Sequence, residues 1–196
     1  NDPSIGITTI PVTEQIDRLL ADSPSFTRND LVALWAGSND GFVQFGTVAA
    51  GLITPDTALA AMSTAATELL AQIDRLKAAG AQNIVVITVP NLGVTPQAQI
   101  IEDGSVSGTA APGSIALLNA LSASFNNTLT AAAASKGAVI VDSNRLLSAV
   151  IADPARFGFT SPTPLQPACG DNGSTDPNNF FNSSLTCIQG INAAAD

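Results

Sequence analysis

Apolar residues fall along the chain in two patterns. Continuous apolar runs of strand length occur at "LVALWA" (31–36) and "NIVVITV" (83–89, ended by Pro90), with a shorter run, "AVIVD", at 138–142. Between them apolar positions recur at helical spacing. Val12, Ile16, Leu19 and Leu20 predict a short amphipathic helix from Pro11 to about Ala21, followed by a polar loop from Asp22 to Asp30. Thr54 as N-cap and Pro55 at the first helical position open a long helix. Its Leu59, Met62, Ala66, Leu69, Ile73 and Leu76 form one stripe, closed by Lys77 and Gly80. Ser114 is placed to cap a third helix with Ile115, Leu118, Leu121, Phe125 and Leu129 on one face, ending at Lys136 and Gly137. A fourth, from about Ser143 to Ala152, stops before Pro154.

Two stretches carry no clear period. Gly41 to Gly51 is ambiguous, and residues 91–112, punctuated by Gly, Ser and Pro, read as a loop. Unbroken apolar strands predict coverage on both faces. Strands alternating with helices predict right-handed βαβ crossovers. The expected fold is therefore α/β, a three-layer α/β/α sandwich with a mainly parallel sheet, in one domain over 1–196. No internal repeat is visible.

Length and composition support this picture: 196 residues with 45% apolar content bury a sizeable single core. The formal net charge of -9 repels phosphate backbones and anionic headgroups, so no nucleic-acid partner is expected. No apolar run approaches the roughly 18–20 residues of a membrane span, so no transmembrane segment is expected in this chain. The chain opens on Asn1 without an initiator Met or a signal sequence and reads as processed or excised. Cys169 and Cys187 lie in a tail rich in Asn, Ser, Pro and Gly, where a crosslink would help most. They are expected to form a disulfide closing a loop region at 157–196 in an exported protein, against the alternative of two free cytosolic thiols. Sequons stand at Asn126, Asn172 and Asn182 and matter only if the source glycosylates.

Histidine is absent altogether, as is tyrosine. A Ser-His-Asp triad or a His-ligated metal site is not available from these residues. No Gly-rich phosphate signature follows any strand, and no cofactor or metal is expected. The run "DNGSTDPNN" (171–179) offers oxygen ligands but lacks the spacing of a calcium loop and reads as solvated. Lys77 and Lys136, in the last turns of helices, are placed to favour the helix dipoles.

Chemistry concentrates where the first strand ends, at "GSNDG" (37–41). These are the residues that any tight turn selects. They also stand at the carboxyl end of a strand, where open α/β sheets bind ligands. "WAGSND" (35–40), "VPNLGVTP" (89–96) and "LLSAVIADPARFGFTSP" (146–162), in that order, resemble the later part of the GDSL or SGNH hydrolases. The look is that of the bacterial lipase and esterase branch that includes autotransporter esterases, and it covers most of residues 11–190. In that family a Ser near the first strand attacks an ester carbonyl and a His in an Asp-x-x-His element is the base. The Asn of Gly-x-Asn donates to the oxyanion. The resemblance places that last role on Asn39, with Gly37 turning the chain to present it, and leaves Asp40 to fix the turn.

The sequence departs from the family pattern at both ends. No Gly-Asp-Ser-Leu element precedes the first helix and no Asp-x-x-His follows. Gly6 is too little to supply the second oxyanion residue, and Asp196 reads as a terminal acid rather than the start of the His element. Ser38 beside Asn39 has no base and reads as a turn residue. The resemblance thus implies the central part of a secreted or cell-surface carboxylic-ester hydrolase, incomplete at both ends, with nucleophile and base outside the chain. Its substrate would be a small-molecule or lipid ester, with acetylated sugars as another class. The alternative is a catalytically inactive SGNH-like binding or structural domain. Nothing in the residues speaks to oligomeric state.

Overall fold

Residues 10–104 and 110–159 are described by the computed structural model. Their elements follow the order α1 (Val12–Asp22), β1 (Leu31–Trp35), α2 (Ser38–Ala49), α3 (Pro55–Ala78), β2 (Asn83–Ile87), α4 (Pro96–Asp103), α5 (Ser114–Ala133), β3 (Val139–Val141) and α6 (Ser143–Ala152). Single 3-10 turns at Leu92–Val94 and Pro154–Phe157 precede α4 and follow α6. The three strands form a parallel sheet in the order β1-β2-β3. Val32 lies opposite Ile84, Leu34 opposite Val86, and Val86 opposite Ile140. The α/β class with a parallel sheet is thus as expected.

Because both crossovers step along the sheet in the same direction, right-handedness puts α3 and α5 on the same face. Val32, Leu34, Ile84 and Val86 point to that face and join Met62, Ile73, Leu118 and Phe125 in one buried cluster. On the opposite face, among the described residues, several strand side chains are exposed where coverage on both sides was expected. Burial alternates along β1, and Leu31, Trp35, Val139 and Val141 are exposed. The helices α3 and α5 pack together on one face of the sheet. An apolar run reports β-propensity for both faces, whereas coverage depends on where the crossovers land.

The long helices form as their patterns dictate. Thr54 Oγ1 accepts the Thr57 N–H at 3.2 Å, Pro55 occupies the first turn, and Arg75 and Lys77 close α3. Met62, Ile73 and Leu76 on its stripe are fully buried, and Leu59 packs against the cluster from a half-buried position. On α5, Leu118, Leu121, Phe125 and Leu129 are buried as the stripe predicts. Truncating Phe125 to alanine would cost about 3–5 kcal/mol. Lys77 donates from Nζ to the Lys136 carbonyl at 2.6 Å, and Lys136 pairs with Asp74. Lys136 lies beyond the end of α5, not in its last turn. The two lysines tie the carboxyl ends of α3 and α5 together.

Several expectations are corrected locally. Gly41 to Gly51 is not ambiguous in the fold: α2 runs through Ala49. The segment 91–112 is not all loop. Thr95 Oγ1 accepts the Ala98 N–H at 3.2 Å, Pro96 takes the first turn, and Gly104 ends α4 in the left-handed region (φ 71°). An eight-residue helix with only Ala98 buried leaves no apolar stripe to read. The N-cap of α5 is Gly113, not Ser114; the Ser114 hydroxyl donates back to the Ala111 carbonyl at 2.6 Å. The third strand is shorter than 138–142, because Asp142 caps α6 by accepting the Arg145 N–H at 2.9 Å.

The capping of α5 falls to Glu102 on α4. Its carboxylate accepts the Gly113 and Ile115 N–H groups, each at 2.9 Å. Those backbone donors, Ile115 first, hold the Glu102 carboxyl below the usual glutamate range. A depressed folded-state pKa gives stability present above the unfolded pKa and lost as pH falls through the folded one. Thermal melts should therefore show Glu102→Gln melting below the parent at neutral pH. The gap should close as pH drops below the carboxylate range; a gap independent of pH would refute the charge-assisted cap.

Candidate functional site

The carboxyl ends of the three parallel strands bring together segments far apart in sequence. After β1 the chain turns at Gly37, the N-cap of α2, in the left-handed region at φ 107°. That conformation favours glycine, and the surroundings demand it as well. A Cβ at residue 37 would stand 2.7 Å from Phe125 Cζ and 2.8 Å from Val89 Cγ2. Ser38, Asn39 and Asp40 then form the first helical turn, closed by the Gly41 N–H donating to the Gly37 carbonyl at 3.0 Å. "GSND" is therefore the start of a helix and not an isolated turn.

Asn39 is exposed on that turn, and its side-chain amide makes no hydrogen bond among the described residues. The N–H groups of the first turn have no intrahelical acceptors and sit at the positive end of the helix dipole. Asp40 is exposed beside it and makes no capping bond, so the turn is held by the glycine conformation and packing instead of by the Asp40 carboxylate. Ser38 is half-buried on the same turn, with no basic side chain bonded to it among the described residues. The arrangement offers hydrogen-bond donors to a negative charge, and among the described residues no base is bonded to Ser38.

Beyond β2 the backbone is secured by side chains. Asn126 on α5 takes the Val89 N–H on its Oδ1 at 2.8 Å and returns its Nδ2 to the Val89 carbonyl at 2.7 Å. This replaces the ladder partners that a chain loses on leaving a sheet. Asn126 is thus committed to the fold: the nitrogen that a glycan would take already donates to Val89 from inside a helix. Thr88 is joined to the start of α6, with its Oγ1 accepting the Ser143 N–H at 3.0 Å and its carbonyl accepting the Ser143 hydroxyl. Asn144 Oδ1 accepts the Asn91 N–H at 3.1 Å.

The family model of the GDSL-like lipase/acylhydrolases matches residues 5–180. The chain belongs to that family. Comparison with curated proteins returns no match. Membership supports a hydrolase function, of the esterase and lipase type by resemblance, on small ester substrates. No helix among the described residues is long and apolar enough to cross a membrane.

Of the residues singled out from sequence in this GDSL-type chain, Gly37 and Asn39 stand together at the end of β1. Cys169 and Cys187, with the loop region they were expected to close from residue 160 onward, the 171–179 run, the sequons at Asn172 and Asn182, Gly6 and Asp196 lie outside the described residues. Sequence reasoning missed Asn126, Thr88, Ser143 and Asn144. One signal was available at Asn126: asparagine is a poor helix former, and here it directly follows a stripe phenylalanine in the middle of a long helix.

Gly37→Ala should destabilise the chain by about 2–5 kcal/mol, combining about 1–2 for a left-handed alanine with about 1–3 for overpacking against Phe125 and Val89. Urea unfolding measures it. A loss within about 0.5 kcal/mol, the size of an ordinary surface change, would show that the site relaxes freely.

Proposed function

We propose that this chain is the central part of a secreted or cell-surface carboxylic-ester hydrolase of the bacterial lipase and esterase branch, autotransporter-esterase-like. It would act by serine acyl transfer, with nucleophile and base supplied by polypeptide outside residues 1–196. Asn39 serves as an oxyanion donor and Gly37 presents it. The observation that carries this reading is the exposed Asn39 amide, without a hydrogen bond among the described residues, on the first turn of α2 at the carboxyl end of a parallel strand in a GDSL-family chain. An amide there stabilises charge only as it builds on the carbonyl oxygen of a tetrahedral intermediate.

Export is supported by the expected Cys169–Cys187 disulfide, which would close an 18-residue span and stabilise by roughly 3 kcal/mol in the chain-entropy model. Thiol titration of the denatured, unreduced protein should find no free thiol; two would refute the pairing. The absence of any histidine favours a second reading, a catalytically inactive SGNH-like binding or structural domain. The gene on either side of Asn1 and Asp196 separates the two. A Gly-Asp-Ser upstream with an Asp-x-x-His downstream supports the enzyme, and their absence supports the inactive domain.

The 196-residue chain by itself should not turn over a short-chain chromogenic ester. Sustained hydrolysis abolished by mutating Ser38 would overturn the reading. In the enzyme with its Ser and His segments, Asn39→Ala should lower kcat by about 10²–10³-fold with little change in KM. Asn39→Asp should be at least as harmful, because it places a like charge where a donor stood. A variant that melts lower yet hydrolyses its ester at the parent rate would show that residue 39 only shapes the helix start.

A further inference from the structure

The segment "VPNLG" after β2 takes no part in the chemistry proposed above, yet it is among the most heavily anchored stretches of the described structure. Leu92 is 2% exposed. Its N–H donates to Ser122 Oγ at 3.1 Å, and the Ser122 hydroxyl donates onward to the Leu118 carbonyl at 2.9 Å. Asn91 Oδ1 accepts the Gly93 N–H at 3.0 Å, while the Asn91 N–H is held by Asn144. Gly93 lies so close to α5 that a Cβ there would meet Asn119 Oδ1 at 2.0 Å. Backbone and side chain together fix Leu92 to α5 and to the start of α6.

The other end of this contact is α2. Its only fully buried residue is Gly41, and a Cβ at that position would lie 2.5 Å from Leu92 Cδ1. The remaining hold on α2 comes from the half-buried Phe42, Phe45 and Val48 further along the helix. Gly41 also supplies the N–H that closes the turn containing Asn39. The first turn of α2 is thus seated at two points. Gly37 rests under Phe125 and Val89, and Gly41 under Leu92, with Asn39 between them.

We propose that Leu92 is a positioning residue for Asn39. Its terminal methyl group, filling the space that Gly41 leaves, sets the height and tilt of the first turn of α2 and so the place from which the Asn39 amide can donate. The inference rests on the reading of Asn39 as an oxyanion donor. A side chain far from the reacting atoms acts this way because a donor displaced by a fraction of an ångström loses much of its effect on a transition state.

The experiment uses the full-length enzyme and a double-mutant cycle. Leu92→Val withdraws the methyl contact while keeping an apolar core residue. It should lower kcat by about threefold to tenfold with KM unchanged, and the drop should vanish in an Asn39→Ala background. Gly41→Ala should lower kcat in the same background-dependent way, with Leu92→Ala in the same chain restoring much of the rate. If Gly41→Ala does not fold, Leu92→Val carries the test. Equal losses from Leu92→Val with Asn39 present or absent, or no loss at all, would overturn the positioning role while leaving the oxyanion role intact. An Asn39→Ala variant with the parent kcat would instead overturn the oxyanion role, and the positioning role with it.

Discussion

The handedness of two crossovers governs the rest of this structure. β1 passes to β2 through α3, and β2 to β3 through α5, each step in the same direction along a parallel sheet. Right-handed connections then have no choice but to stack both helices on one face. Their stripes meet Val32, Leu34, Ile84 and Val86, so the core forms on that side. The same geometry sends all three strands out at one edge, where the segments beginning at Gly37, Thr88 and Asp142 become neighbours. The chemistry proposed for this chain is placed there because parallel strands end together.

Leaving a sheet costs each strand its ladder partners, and α5 repays most of that cost at β2. Asn126 takes both polar groups of Val89, Ser122 takes the Leu92 N–H, and Phe125 between them lies against Gly37. One helix therefore satisfies the end of one strand and sets the closest approach of the next. For the role proposed for Asn39, dense support beneath an exposed amide is what preorganisation requires, since a donor must not have to reorganise as charge develops. Asn39 is exposed, whereas the residues that hold its turn are buried and mainly apolar. That division explains why two glycines bracket Asn39. Each is the place where a neighbouring apolar side chain comes too near for a Cβ.

Much of this architecture was written locally. The stripes on α3 and α5 are buried as their 3.6-residue period requires, and Thr54 with Pro55 starts α3 where capping chemistry places it. The class of fold followed from alternation of strand and helix, and the end of β1 announced itself through Gly37 and Asn39. These features depend on interactions between residues a few positions apart, which a linear pattern records. Only the tertiary structure decided what depends on distant partners. Which face of the sheet receives α3 and α5 follows from where the crossovers land. The first N–H groups of α5 are taken by the Glu102 carboxylate, eleven and thirteen positions earlier, and Asn126 forms a clasp on Val89. The glycine at 41 looked like part of a turn, but its reason is Leu92, fifty-one positions later. A sequence carries the propensity of each segment; which two segments come within van der Waals reach is settled only when the helices pack.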